Sequence, residues 1–192
     1  MAPSDQLQYQ ITTLRDLVGN IRPEQMSNAT PCADWDVRGL CNHFVGGAHM
    51  FAAAFRGDAV ARDEPAIDLM GDLVGDDPVR ALDAAIADFQ SAIDAPGAMD
   101  KIIPLPFGEI PAPIVLEILK FDLLVHCWDI AQATGQAFDP PADVAEQGLQ
   151  TAKMIIAPEA RDGDTFAAEI TPDASATSLE RLVAFTGRQL VG

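Results

Sequence analysis

The sequence predicts an all-α fold whose main part is a four-helix bundle. Four long segments place apolar side chains at helical spacing, and residues that start or end helices bound them. The connections between them are rich in proline, glycine and acidic residues, which is typical of surface loops. Helices with one apolar stripe bury that stripe against each other, so four of them indicate a bundle. We expect one domain, residues 1–192, with a short C-terminal extension.

The first two predicted helices carry clear apolar stripes. Residues 5–20 form the first helix, and its stripe consists of Leu7, Ile11, Leu14 and Val18. The second helix is predicted over about 35–57. Asp34 is its expected N-cap, and Gly57 lies near its expected C terminus.

The third and fourth helices follow long connections. The third is expected to begin near Pro78, because proline is favoured in the first helical turn, and its stripe continues to Ile93. Residues 96–111 hold several prolines and predict a long loop with room for a short extended pair. The fourth helix is predicted over 112–134 and ends at Gly135.

Three further elements complete the prediction. We expect a fifth helix within residues 139–156 and a short strand over 165–170. A last short helix is predicted within 175–188, with Ser175 or Thr177 as its cap. The connections are long enough to cross the bundle, so the order in which its helices run up and down stays open.

The composition argues against several classes of function. The formal net charge is −17, from 29 acidic and 12 basic residues, which disfavours nucleic acid and anionic membranes as partners. No secretory signal is visible at the N terminus, and no apolar run reaches the roughly 18 residues of a membrane span. We therefore expect a cytoplasmic protein. Its oligomeric state stays open, with a homodimer among the options.

An unusual group of titratable residues lies on the apolar fourth helix. Asp122, His126 and Asp129 are spaced at i, i+4 and i+7, so one helix face carries all three. In a structural interpretation, Asp122 pairs with an arginine, His126 is a satisfied core residue and Asp129 caps a neighbouring element. This interpretation is weakened because only 12 lysines and arginines exist, mostly in connections or near helix ends.

The alternative interpretation is a divalent metal site. A carboxylate and an imidazole one helical turn apart can bind one ion, so Asp122 and His126 would be two ligands. His43 is the predicted third ligand, because it lies beside the apolar stripe of the second helix. His49 is six residues away and faces elsewhere, which favours a structural or surface role. Asp129 would either orient His126 or act as a catalytic base on the open side of the ion.

The remaining chemically distinctive residues are assigned to packing. Trp35 and Trp128 are expected to be packing residues rather than platforms for a substrate. The three cysteines have no CxxC spacing, and their odd number indicates reduced thiols. Cys32 precedes the second helix, where it either approaches the predicted site or is a small buried thiol.

Two segments together resemble the DinB-like metal-binding superfamily. They are TPCADWDVRGLCNHFVGGAHMF at 30–51 and DLLVHCWDIAQATG at 122–135. The segment LERLVAFTGR at 179–188 resembles the C-terminal end of short members. The closest branch is the mycothiol-dependent maleylpyruvate isomerase N-terminal domain. The resemblance implies an up-down-down-up four-helix bundle that holds a divalent metal, commonly zinc. Nickel is the alternative metal.

The resemblance also assigns the site residues. It implies that His43, Asp122 and His126 are the metal ligands. It also matches Asp129 to the aspartate of the family's Trp-Asp pair. The isomerase relatives have Glu where this chain has Asp122, which is one methylene shorter. The true isomerase carries a separate C-terminal domain that contributes to its active site, whereas fewer than 60 residues follow the fourth helix here. Isomerisation of maleylpyruvate itself is therefore not the expected activity.

The predicted function is that of a metal-dependent enzyme that uses a low-molecular-weight thiol. The resemblance implies mycothiol as that thiol, with transferase or isomerase chemistry on a small-molecule substrate. Two alternatives stay open. One is a metal-dependent hydrolase, in which the open coordination position activates water. The other is a non-catalytic bundle that binds a metal or a small molecule.

Overall fold

The computed structural model of the protein is mostly helical, as predicted, and it adds one small sheet. It describes residues 3–32, 35–58, 71–105, 108–158, 161 and 166–189. The helices are α1 (Pro3–Gly19), α2 (Val37–Arg56), α3 (Pro78–Ile93), α4 (Ala112–Thr134), α5 (Ala142–Ile155) and α6 (Ser178–Phe185). The strands β1 (Ile102–Leu105) and β2 (Gly108–Pro111) pair antiparallel within the predicted long loop. No helix in the described part of the chain is both long and apolar enough to cross a membrane.

The first four helices share an apolar core. Helix α2 packs along α3 and also contacts α4, and α1 packs against both α3 and α4. On a second side of α4, helix α5 packs against α4 and α6, burying Leu124, Leu149 and Leu182. Helix α4 is therefore covered from two directions. This explains why its sequence is apolar almost all round instead of carrying a single stripe.

The start of α2 corrects the predicted cap. The carboxylate of Asp36 accepts a hydrogen bond from the backbone N–H of Gly39 at 2.8 Å, and the helix begins at Val37. Asp34, the predicted cap, lies outside the described residues. A cap of this kind stabilises a helix by about 1 kcal/mol. The later start leaves Trp35 outside the helix, where it lies close to Gly39.

Most of the other predicted boundaries are confirmed. Helix α2 ends at Gly57, whose φ of 90° is left-handed, as glycine allows. Helix α3 begins at Pro78, after Asp77 accepts a hydrogen bond from the N–H of Arg80 at 3.0 Å. Of the two candidate caps of α6, Thr177 is the one that accepts a helix N–H.

The predicted strand over 165–170 is wrong for residues 166–170, and Thr165 lies outside the described residues. The backbone N–H of Ile170 donates to the carbonyl of Ala184 in α6 at 3.0 Å. This segment therefore runs beside a helix, and no strand in the described part of the chain lies beside it to form a ladder.

Candidate metal centre

His43, Asp122 and His126 converge between α2 and α4. One nitrogen or oxygen atom from each lies within 4.8 Å of the others. Nε2 of His43 is 3.0 Å from Oδ2 of Asp122, and Nε2 of His126 is 3.5 Å from Oδ1 of the same carboxylate. The three residues predicted as metal ligands are thus brought together, although His43 and Asp122 lie 79 positions apart in the sequence.

The three side chains differ in their access to solvent. The side chains of His43 and Asp122 are 30% and 32% exposed, and that of His126 is 9% exposed. The first two also line a cavity between the helices. The cluster therefore has a closed side at His126 and an open side at His43 and Asp122, where a further ligand can approach.

A chain of hydrogen bonds fixes the ring of His126 through Nδ1, the nitrogen that does not face Asp122. Its Nδ1 donates to Oδ2 of Asp129 at 2.8 Å, which directs its Nε2 towards Asp122. Asp129 is fully buried and accepts two hydrogen bonds from Arg188, from Nε to Oδ1 and from Nη2 to Oδ2, both at 2.8 Å. A carboxylate that holds the second ring nitrogen is the usual support for a metal-binding histidine.

Arg188 is the site residue that the sequence analysis missed. It lies in the segment LERLVAFTGR, but the spacing along one helix cannot show that α6 returns to Asp129. The residue before it, Gly187, has a φ of 84°, and a Cβ there would lie 2.8 Å from the backbone carbonyl of Ala167. Only glycine fits this turn, which delivers the guanidinium to Asp129.

The two acids of α4 have different partners from those of the structural interpretation. The arginine that this interpretation gives to Asp122 is found at Asp129, which pairs with Arg188. Among the described residues, the ion pairs of Asp122 are both with histidines. Asp122 and its two histidine partners thus have the composition of a metal site.

The charges of the cluster support one another. Burial raises the pKa of Asp122, but the nearby His43 and His126 outweigh it and hold this pKa well below its usual range. Burial lowers the pKa of His126, but Asp122 and Asp129 outweigh it and raise this pKa to about 9. An ion that binds at Nε2 of His126 must therefore displace a proton at neutral pH, and its affinity should rise with pH.

Aromatic rings enclose the two histidines. The ring of Trp35 stacks on that of His43, with centroids 4.6 Å apart and planes at 27°, and it lies 5.6 Å from the ring of His126. Phe44 meets His126 edge-on at 6.1 Å. Trp35 packs as predicted, but its packing partner is the site itself, so it also orients His43.

The cysteines occupy different environments. Cys32, His126 and Asp129 form a second group of possible ligand atoms within 4.8 Å of one another, so Cys32 does approach the site. Cys41 and Cys127 are buried. Burial raises the pKa of Cys41 to about 12 and also raises that of Cys127, which makes both thiols inert.

The donor set of His43, Asp122 and His126 fits a divalent metal. Two imidazole nitrogens and one carboxylate oxygen are the ligands of many catalytic zinc sites, which leave the fourth position to water or substrate. The supported ring of His126 and the open side of the cluster meet both requirements of such a site.

Comparison with known proteins identifies the family. The family described as "Mycothiol maleylpyruvate isomerase N-terminal domain" matches residues 7–131. The chain belongs to this family. The match confirms the resemblance predicted from the sequence, and it spans His43, Asp122, His126 and Asp129. Arg188 lies beyond the region that matches the mycothiol maleylpyruvate isomerase N-terminal domain.

Two relatives from Mycobacterium tuberculosis extend the similarity over most of the chain. They are "Uncharacterized protein MT0763" of strain CDC 1551 / Oshkosh and "Uncharacterized protein Rv0738" of strain ATCC 25618 / H37Rv. Each is 33% identical over 173 residues, which cover 90% of this chain and 90% of the relative. No solved structure matches the chain. The comparisons therefore establish the family. A proposal for the function rests on the geometry of the site.

Proposed function

We propose that this family member is a divalent-metal-dependent enzyme that uses a low-molecular-weight thiol, such as mycothiol, on a small-molecule substrate. The observation that carries the proposal is the convergence of His43, Asp122 and His126, with an open side and a supported histidine. The family description supports the thiol and the transferase or isomerase class of chemistry. We place this site in a single domain, an up-down-down-up four-helix bundle with a short C-terminal extension.

Each polar residue has a proposed role. His43, Asp122 and His126 would hold the ion, with zinc as the first choice. A divalent ion there would supply the positive charge that keeps a thiol ionised at neutral pH. Asp129 holds Nδ1 of His126, and both of its oxygens accept hydrogen bonds. Of the two roles that helical spacing leaves open for Asp129, this geometry supports positioning rather than general base catalysis.

The metal is tested by elemental analysis of the protein purified after expression with added zinc. We expect about one zinc per chain in the wild type, because the three ligands form one centre. His43→Ala, Asp122→Ala and His126→Ala should each lose most of it. His49→Ala is the matched control, since His49 lies on the same helix and bonds to Asp88 instead, and it should keep the wild-type content.

Two results of the elemental analysis would contradict the proposed metal centre or one of its ligands. A wild-type protein without divalent metal under these conditions would overturn the proposed centre. Full occupancy in His43→Ala would remove His43 from the ligand set.

The thiol is tested by mass spectrometry of products from a panel of electrophiles, each incubated with and without mycothiol. We expect metal-dependent products that carry the mass of the thiol, or isomers that form only when the thiol is present. Products that carry water instead would replace the proposal with the hydrolase alternative. Absence of any product with a fully loaded metal would favour the non-catalytic bundle.

A further inference from the structure

A cavity of about 440 Å³ opens beside the proposed metal centre. Residues from α1, α2, α3 and α4 line it, so it lies between the first four helices. Aliphatic and aromatic side chains supply most of its wall, among them Leu7, Ile11, Phe51, Leu82, Phe89 and Ile118. Its ionisable lining residues in the described part of the chain are His43 and Asp122, so the polar end of the cavity is the open side of the metal centre.

The size of this cavity is not that of a packing defect. Protein interiors are packed as densely as organic crystals, with few voids larger than a water molecule. Volumes of roughly 300–1,000 Å³ are typical of sites that bury small ligands. Gly47 helps to keep the space free, since a Cβ added there meets nothing within 4 Å. Glycine inside a helix is less stable than alanine, so the open volume is retained at a cost.

The charges of the wall define what the cavity can hold. Among its described lining residues there is no lysine and no arginine. A carboxylate placed among the apolar side chains, away from the proposed metal centre, would lose its hydration without gaining a cationic partner, which is strongly unfavourable. The net charge of −17 adds long-range repulsion of anions. The body of a ligand in this cavity must therefore be uncharged.

We propose that the cavity binds the second substrate of the enzyme, and that this substrate has an uncharged, apolar body. One polar group of the molecule faces His43 and Asp122, and the body lies among the apolar side chains of the four helices. The assignment as a substrate rests on the proposed function. Binding of the apolar body depends on the cavity alone, so it is expected in metal-free protein as well.

The test uses N-phenyl-1-naphthylamine, an uncharged fluorescent probe, with the full chain after removal of metal by chelation. We expect saturable binding. 1-Decanol should displace the probe, and decanedioate, which has the same chain length but two charges, should not. Trp35 lines the cavity and is one of two tryptophans. In Trp128→Phe protein, where Trp35 is the sole tryptophan, bound probe should quench tryptophan emission by energy transfer.

Variants locate the bound probe. Gly47→Leu puts a side chain into the cavity and should weaken probe binding by about tenfold or more, equivalent to at least about 1.4 kcal/mol. Gly47→Ala should have a smaller effect. Ala87→Leu adds the same side chain at an exposed position of α3 and should bind the probe like the wild type. Circular dichroism of each variant verifies that it is folded.

Two results would overturn the inference. One is wild-type affinity for the probe in folded Gly47→Leu, and the other is equal displacement by decanedioate and 1-decanol. Neither depends on metal content or on thiol turnover. Failure of the apolar site therefore leaves the proposed metal centre untouched, and a protein that binds no metal still reports whether the cavity binds the probe.

Discussion

Helix α2 carries two histidines, and each lies beside an aspartate of another helix. Nε2 of His43 is 3.0 Å from Asp122 of α4, and Nδ1 of His49 is 2.9 Å from Asp88 of α3. The exposed fractions of the two pairs are nearly equal, 30% and 32% in the first and 34% and 32% in the second. Exposure and pair geometry therefore do not separate a candidate metal centre from an ordinary ion pair.

The two pairs differ in the third residue, which lies beside the aspartate of each pair. Asp122 has a second histidine, His126, as its other neighbour. Asp88 has Arg56, whose guanidinium donates to Oδ1 while His49 occupies Oδ2. A guanidinium is always charged and repels a metal ion, whereas an imidazole can bind one. The residue that completes a His-Asp pair therefore decides its chemistry.

The largest expected effect is the loss of stability when the arginine that supports Asp129 is removed. Arg188→Met leaves the buried Asp129 without its guanidinium partner, so that His126 is its remaining partner, and this should reduce the free energy of unfolding by about 3 kcal/mol. Arg56→Met is the matched control, because Arg56 pairs with an aspartate at the surface, where such pairs contribute little. Urea denaturation followed by circular dichroism measures both variants. Equal losses of stability in the two would show that Arg188 is no more important than a surface arginine.

An intermediate effect concerns the orientation of His126. Asp129→Asn weakens the acceptor for Nδ1 and should lower zinc affinity by about 10–100-fold, as expected for the outer partner of a metal-binding histidine. Competition with a coloured chelator measures the affinity in folded protein. Asp88→Asn changes the second pair in the same way and should leave zinc affinity unchanged. Matching losses in both variants would mean that the two histidine-aspartate pairs are equivalent.

The smallest expected effect is a pH dependence of the stability that the His49–Asp88 pair contributes. Hydrogen bonds from Arg56 and from His49 hold the pKa of Asp88 below its usual range. A lowered folded-state pKa adds stability above the unfolded-state pKa, and this contribution disappears as the pH falls through the folded-state pKa. The stability difference between wild type and Asp88→Asn should therefore be small at about pH 6 and smaller at about pH 3. Urea midpoints at both pH values measure it, and a difference that grows in acid would reverse the assigned direction.

The predictable parts of the molecule were those governed by local geometry. Asp122 and His126 share a helix face because their spacing is one helical turn, so half of the candidate site follows from the sequence alone. The bounds of α4 and the role of Pro78 in α3 follow from the residues that start and end helices. His43 followed from the scarcity of histidine as much as from its position.

The parts that failed depend on contacts between distant segments. The hydrogen bond between Arg188 and Asp129 joins residues 59 positions apart, which no helical periodicity encodes. The strand expected over 165–170 holds three residues that favour strands, Thr165, Phe166 and Ile170, but a strand forms only where a neighbouring strand exists. The shift of the helix cap from Asp34 to Asp36 is within the usual error for helix ends.

The turn at Gly187 has a consequence for the order in which the site is completed during synthesis. The ribosome makes a chain from its N terminus, so the proposed ligands are present well before Arg188 is added. Until that turn docks against Ala167, Asp129 has no arginine and the ring of His126 has no fixed support. The support behind the proposed metal centre is therefore completed late in folding. A nascent chain that stops before Gly187 contains His43, Asp122 and His126 but lacks the support that orients His126.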